Sequence, residues 1–166
     1  NPAKQPVKEI SADAGTRWML RNVVNNPVYD RDSRGTVTTH RYDVLHRPVI
    51  VHVKNDTTDT TSPLYGLDQD VEHIVYGDGQ DSQGNPFFHH PPLPKKWTPQ
   101  YWNLRGKPFI HFDQSGLNIS CFFNIMGKPY AAAKLIRKEY RKEADWGQLN
   151  NTIISSLIGD ITKCIP

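Results

Sequence analysis

Apolar and aromatic residues crowd most densely into residues 109–126, FIHFDQSGLNISCFFNIM. This stretch predicts two core strands joined at Gln114-Ser115-Gly116, because β-branched and aromatic residues flank a cluster of turn formers. Residues 36–55, TVTTHRYDVLHRPVIVHVKN, are rich in Val, Thr, Tyr and Ile. They predict one long strand or two strands broken near Pro48, since proline cannot donate to an interior ladder. A further strand is expected over residues 71–76, stopped by the turn Gly77-Asp78-Gly79. Residues 11–24 fit two patterns: a helix capped by Ser11, or a buried strand through Trp18-Met19-Leu20. Pro27 ends either one.

After Met126 the periodicity changes. Residues 130–146 predict an amphipathic helix with Ala132, Ile136, Tyr140 and Ala144 on one face and Lys134, Lys138, Arg141 and Lys142 on the other. Gly147 stops it. Asn150 or Asn151 can then cap a second helix, in which Ile153, Ile154, Leu157, Ile158 and Ile161 form one stripe. Cys164 follows on the same side, which pairs it with Cys121 of the core strand. Closing so long a loop would stabilise the fold by roughly 4 kcal/mol on the chain-entropy model. The expected fold is therefore α+β and a single domain over residues 1–166: an antiparallel β-sheet from about residue 18 to 126, covered by two C-terminal α-helices and tied by one structural disulfide, Cys121–Cys164. Residues 1–9 read as a flexible arm and residues 129–166 as the helical tail. No internal repeat stands out.

The balance of 20 Lys+Arg against 17 Asp+Glu gives a net charge of only +3. That is too weak to draw the whole protein to nucleic acid or to an anionic membrane, so any such binding needs a local patch. No run is long and apolar enough to span a bilayer. The first residue is Asn, which fits the mature part of a processed soluble protein. The two cysteines make an even pair without a CxxC, and three Asn-x-Ser/Thr triplets begin at Asn55, Asn118 and Asn150. Together these predict a secreted, extracellular glycoprotein.

Five of the thirteen prolines fall in residues 81–99, which also hold His89, His90, Lys95 and Lys96. HHPPLPKKWTP excludes a regular helix or a central strand and predicts an extended surface loop. With Trp97, Tyr101 and Trp102 beside it, this segment combines rigid rings and cations, a composition suited to binding protein or carbohydrate.

The seven histidines supply the candidates for catalysis. His40, His46 and His52 recur every six residues; a ribonuclease-like site would use two of them as acid and base, with Arg41 or Arg47 on phosphate. A second group holds Glu72, His73, Asp78, His89, His90, His111 and Asp113, and His46, His73, His111 and Glu72 are the catalytic candidates. His73, His89, His90 and Asp113 are the candidates for a metal, although no cofactor is expected. The stretch DVEHIV resembles the opening strand of ββα-metal (HNH) nucleases, with Asn85, His89 and His90 downstream. That resemblance implies a histidine-activated water, but the family's helix cannot form in so proline-rich a segment. VYGDG is similar to a stretch of thermolysin-like proteases, yet the HExxH of their zinc site is absent.

These observations favour a secreted small interaction protein, toxin-like or host-directed, that binds a protein or carbohydrate partner through His89, His90, Lys95, Lys96, Trp97, Tyr101 and Trp102. The alternative is a small secreted histidine-dependent hydrolase acting on nucleic acid, either metal-dependent or ribonuclease-like.

Overall fold

The computed structural model describes residues 6–80, 86, 99–139 and 141–164. Among them the chain forms β1 (Lys8–Ser11), β2 (Gly15–Arg21), β3 (Pro27–Arg31), β4 (Thr36–Tyr42), β5 (Pro48–Asn55), β6 (Asp68–Tyr76), β7 (Pro108–Asp113), β8 (Gly116–Phe123), β9 (Pro129–Ile136) and one helix, α1 (Asn151–Cys164). The strands are antiparallel and lie in the sheet in the order in which they occur in the chain. The molecule divides into two compact units, Asn1–His73 and Ile74–Pro166.

The first unit is closed by a turn that the chain uses repeatedly. Asn22, Asp32 and Asp43 each place a side-chain Oδ1 on two later backbone amides, those of Val24 and Asn26, Arg34 and Thr36, and Leu45 and Arg47, at 2.9–3.1 Å. The fourth residue of each turn takes a positive φ, 71° at Asn25, 82° at Gly35 and 59° at His46. Asn, Gly and His are among the residues that tolerate this left-handed region. The same device closes β8 onto β9 in the second unit, where Asn124 Oδ1 accepts from Met126 and Lys128 and Gly127 has φ 74°. A type I turn followed by a left-handed residue is a common three-residue hairpin loop. The internal repeat missed in the sequence is thus a turn rather than a motif of core residues. Pro48 begins β5, where its missing donor costs nothing, so residues 36–55 are two strands.

In the second unit Val75, Trp102, Leu104, Phe109, Ile110, Phe112, Ile119, Cys121, Ile154 and Ile158 form one buried cluster. Ile119 and Cys121 point inward from β8 by the two-residue period of a strand. Ile154 and Ile158 come from α1 at the four-residue spacing that shares a helix face. Asn150 caps that helix, its Oδ1 accepting from Ile153 N at 3.0 Å.

Three features of the α+β expectation are overturned. The stretch predicted as the first of two C-terminal helices is β9, with Leu135 opposite Leu117 and Ala133 opposite Ile119. Its alanines favour a helix locally, but the backbone donors find partners on β8, and tertiary pairing overrides a propensity of a few tenths of a kcal/mol per residue. Only α1 is helical among the described residues, so two helices do not cover the sheet. Among the described residues no disulfide forms: Cys121 is a free, buried thiol whose pKa burial pushes up. It packs as a small apolar side chain inside the cluster. The cationic face expected on a helix over residues 130–146 disperses along β9 and the turns after it.

Candidate functional site

The evenly spaced histidines separate once the hairpins form. His40 lies on β4, with Nε2 4.0 Å from Asp30 Oδ2. His46 sits in the left-handed position of the turn between β4 and β5, and its carbonyl accepts a hydrogen bond from Asn26 Nδ2 at 3.1 Å. His52, on β5, is held from both sides: Nδ1 lies 2.8 Å from Asp70 Oδ1 and Nε2 3.1 Å from Asp68 Oδ1. The alternation Asp68-x-Asp70 puts both carboxylates on one face of β6, and that alternation was the signal available in the sequence. Lying between these two carboxylates, the His52 ring is fixed in orientation.

His73 and Glu72 stand on β6, opposite Ile50 and Val51. Burial holds the His73 imidazole below its ordinary pKa of 6.5, against the attraction of Asp70. His111 lies on β7 opposite Asn118. Asp113 is occupied in building the β7–β8 turn, accepting from the amides of Ser115 and Gly116 and from Asn118 Nδ2. Burial alone would raise its carboxyl pKa, but the hydrogen bonds from Ser115 and Asn118, with the charge of Lys134, bring it below the ordinary value. Among the described residues no three His, Cys, Asp or Glu side chains group so as to hold a metal ion.

Of the predicted binding segment, His89, His90, Lys95, Lys96 and Trp97 lie outside the described residues. Tyr101 is exposed, whereas Trp102 is only 4% exposed and packs at a tilt against Phe122, with ring centroids 4.2 Å apart. Trp102 is therefore part of the core. The three glycosylation triplets also have structural duties. Asn55 is buried, its Nδ2 donating to Arg34 O and Thr36 Oγ1 and its Oδ1 accepting from Thr57 N. Asn118 donates to Asp113, and Asn150 caps α1.

An open cleft of about 480 Å³ in the first unit is lined by Glu9, Arg17, Asp30, Arg31, Asp32 and Arg34, among others. Its charges are largely matched within the fold, Arg17 with Asp30 at 2.9 Å and Arg34 with Asp32 at 3.4 Å. Pairs this exposed contribute little to stability, and they leave modest net charge for a ligand.

No family model matches the chain, and no curated protein matches its sequence. Its fold is similar to a segment of solved Tc toxin chains. A TcdB2-TccC3 structure matches with a TM-score of 0.67 at 16% identity over 93% of this chain. A TcdB2-TccC3-Cdc42 structure matches at 0.66 and 18% identity, and a Photorhabdus luminescens Tc holotoxin pore at 0.67 and 18%, each again over 93% of this chain. In all three the match takes up only 6% of the toxin chain. At these identities what is shared is the fold. The end strands of the order, β1 and β9, are exposed along almost their whole length. No helix among the described residues is long and apolar enough to cross a membrane.

Proposed function

We propose that this chain is a contact-making β-sheet module of a toxin-like protein, acting outside the cell that makes it through protein contacts rather than catalysis. The observation that carries the reading is the match of 93% of a turn-closed hairpin meander to a small segment of Tc toxin chains. The exposed strands β1 and β9 fit it, because an edge strand presents backbone donors and acceptors to any added strand. The assignments of the histidines fit it as well: His46 builds a turn and His52 is clamped by two aspartates. With Cys121 a free thiol, a disulfide no longer argues for an oxidising compartment.

Incubating the purified chain with RNA, DNA and casein, with and without a chelator, tests the reading. No turnover is expected. Cleavage that disappears in His73→Ala or His52→Ala would overturn it in favour of a hydrolase.

A further inference from the structure

We propose that the paired hairpin ends at residues 22–26 and 43–47 dock on an anionic lipid surface. The two turns occupy the same end of the first unit, because β3 and β4 run antiparallel between them. They are fastened side by side: Asn26 Nδ2 donates to His46 O at 3.1 Å, and Tyr42 Oη donates to Pro27 O at 2.6 Å. At their tips stand Val23 and Val24 in one turn and Val44 and Leu45 in the other. Val23 is 96% exposed, Val44 91% and Leu45 62%.

Turn geometry does not ask for these side chains. The turn at residues 32–36 has the same Oδ1 bonds and the same left-handed fourth residue, yet carries Ser33 and Arg34 at the matching positions. That turn lies at the opposite end of the unit, beside the polar β1–β2 turn, where Ser33 Oγ reaches Ala14 O at 3.5 Å. One end of the unit is therefore polar and the other presents a cluster of aliphatic side chains, although the two are built alike. Central turn positions normally carry polar or small residues, so two adjacent aliphatic pairs mark a surface to be covered.

Charge selects what covers it. Arg21 and Arg41 are exposed beside the tips, and Arg21 Nη1 is oriented by Asn25 O at 3.1 Å. The one carboxylate within the two turns, Asp43, is already matched by Arg47 at 2.6 Å. The end is therefore apolar at its apex and cationic around it. A second copy docking end to end would oppose arginine to arginine, whereas anionic headgroups would meet both arginines while the aliphatic tips enter the boundary with the acyl chains. The weak overall charge of +3 does not oppose this, because the attraction comes from the local patch.

The test is cosedimentation of the full chain with vesicles of phosphatidylcholine alone and of phosphatidylcholine with about one quarter phosphatidylserine. Binding is expected to the anionic vesicles, to weaken with salt, and to fall at least about tenfold in the double variant Val44→Asp, Leu45→Asp. Ser33→Asp, at the opposite end, should bind as the parent does. Arg21→Gln with Arg41→Gln keeps the tips intact and should lose the preference for anionic over neutral vesicles. It therefore decides the matter if the aspartate variant fails to fold by circular dichroism. Absence of sedimentation with anionic vesicles would overturn the proposal, as would binding unchanged in both double variants. Self-association in ultracentrifugation that the aspartate variant abolishes would overturn it too, assigning the end to a second copy.

Discussion

Among the described residues of the first unit the nearly buried ones are Val37, Asn55 and Asp70, two of them polar. In the second, Phe109, Phe112, Trp102, Leu104 and the inward residues of α1 pack into a continuous apolar cluster. Both units hold antiparallel strands, but the first depends on bonds made at the ends of its hairpins and between neighbouring strands, and the second on area removed from water. A meander can thus remain ordered with little core where each turn is closed by its own side chain. The general cost of leaving a buried amide unsatisfied is comparable to that of losing a methylene or two from a core.

The contrast can be broken most forcefully from the second unit. Phe109→Ala should cost about 3–5 kcal/mol, because it removes a large, fully buried ring and leaves a cavity. Urea unfolding followed by tryptophan fluorescence would measure it. Native-state hydrogen exchange would locate it, with amides of β7 and β8 exposed sooner and those of the Asp32 and Asp43 turns keeping their protection. Equal loss in both units would merge them into one cooperative body.

Asn55→Ala is the counterpart in the first unit. It deletes the donor to Arg34 O and Thr36 Oγ1 and the acceptor for Thr57 N, all in a nearly buried setting, and should cost roughly 2–3 kcal/mol. Here the pattern of exchange should reverse, with protection lost in β4 and β5 first. A loss under about 0.5 kcal/mol would mean that water replaces those bonds and that the unit does not depend on them.

The smallest effect is that of pH. The folded-state pKa of His73 lies below its ordinary value of 6.5, because burial disfavours the charged ring. As pH falls through 6.5 the unfolded chain takes up a proton before the folded one, so the first unit is expected to lose stability in acid. His73→Gln should flatten that dependence when urea midpoints are compared across the range. An unchanged slope would assign the effect to another group.

Much of the sheet could be read from the chain. The strands over residues 36–55, the hairpin centred on Gln114-Ser115-Gly116, and an Asn150-capped last helix all follow from alternation, β-branching and capping chemistry. The repeated turn was present as Asn22-x-x-Asn25, Asp32-x-x-Gly35, Asp43-x-x-His46 and Asn124-x-x-Gly127, but three of the four hold aliphatic residues or methionine between the ends and so resemble strand. β9 misleads for a different reason: Tyr130 to Ile136 is alanine-rich and mostly exposed, and only its pairing with the preceding strand β8, rather than a pattern of its own, makes it a strand. The Cys121–Cys164 bond rests on an even cysteine count and on the place of Cys164 along the apolar stripe of the last helix, and neither separates an oxidised cysteine from one buried as a core side chain. The candidate histidines were legible as residues. Their places, in a turn, between two carboxylates and in a buried stretch of β6, depend on strand register.

The recurring hairpin end is closed by the first residue's side-chain oxygen, by the backbone amides of the third and fifth, and by the left-handed backbone of the fourth. The second position gives nothing to them and the third gives its backbone amide, so the closure does not call for a particular side chain at either. Such a layout lets selection rewrite what each tip encounters, from serine and arginine to valine, leucine or methionine, without renegotiating how the strands pair.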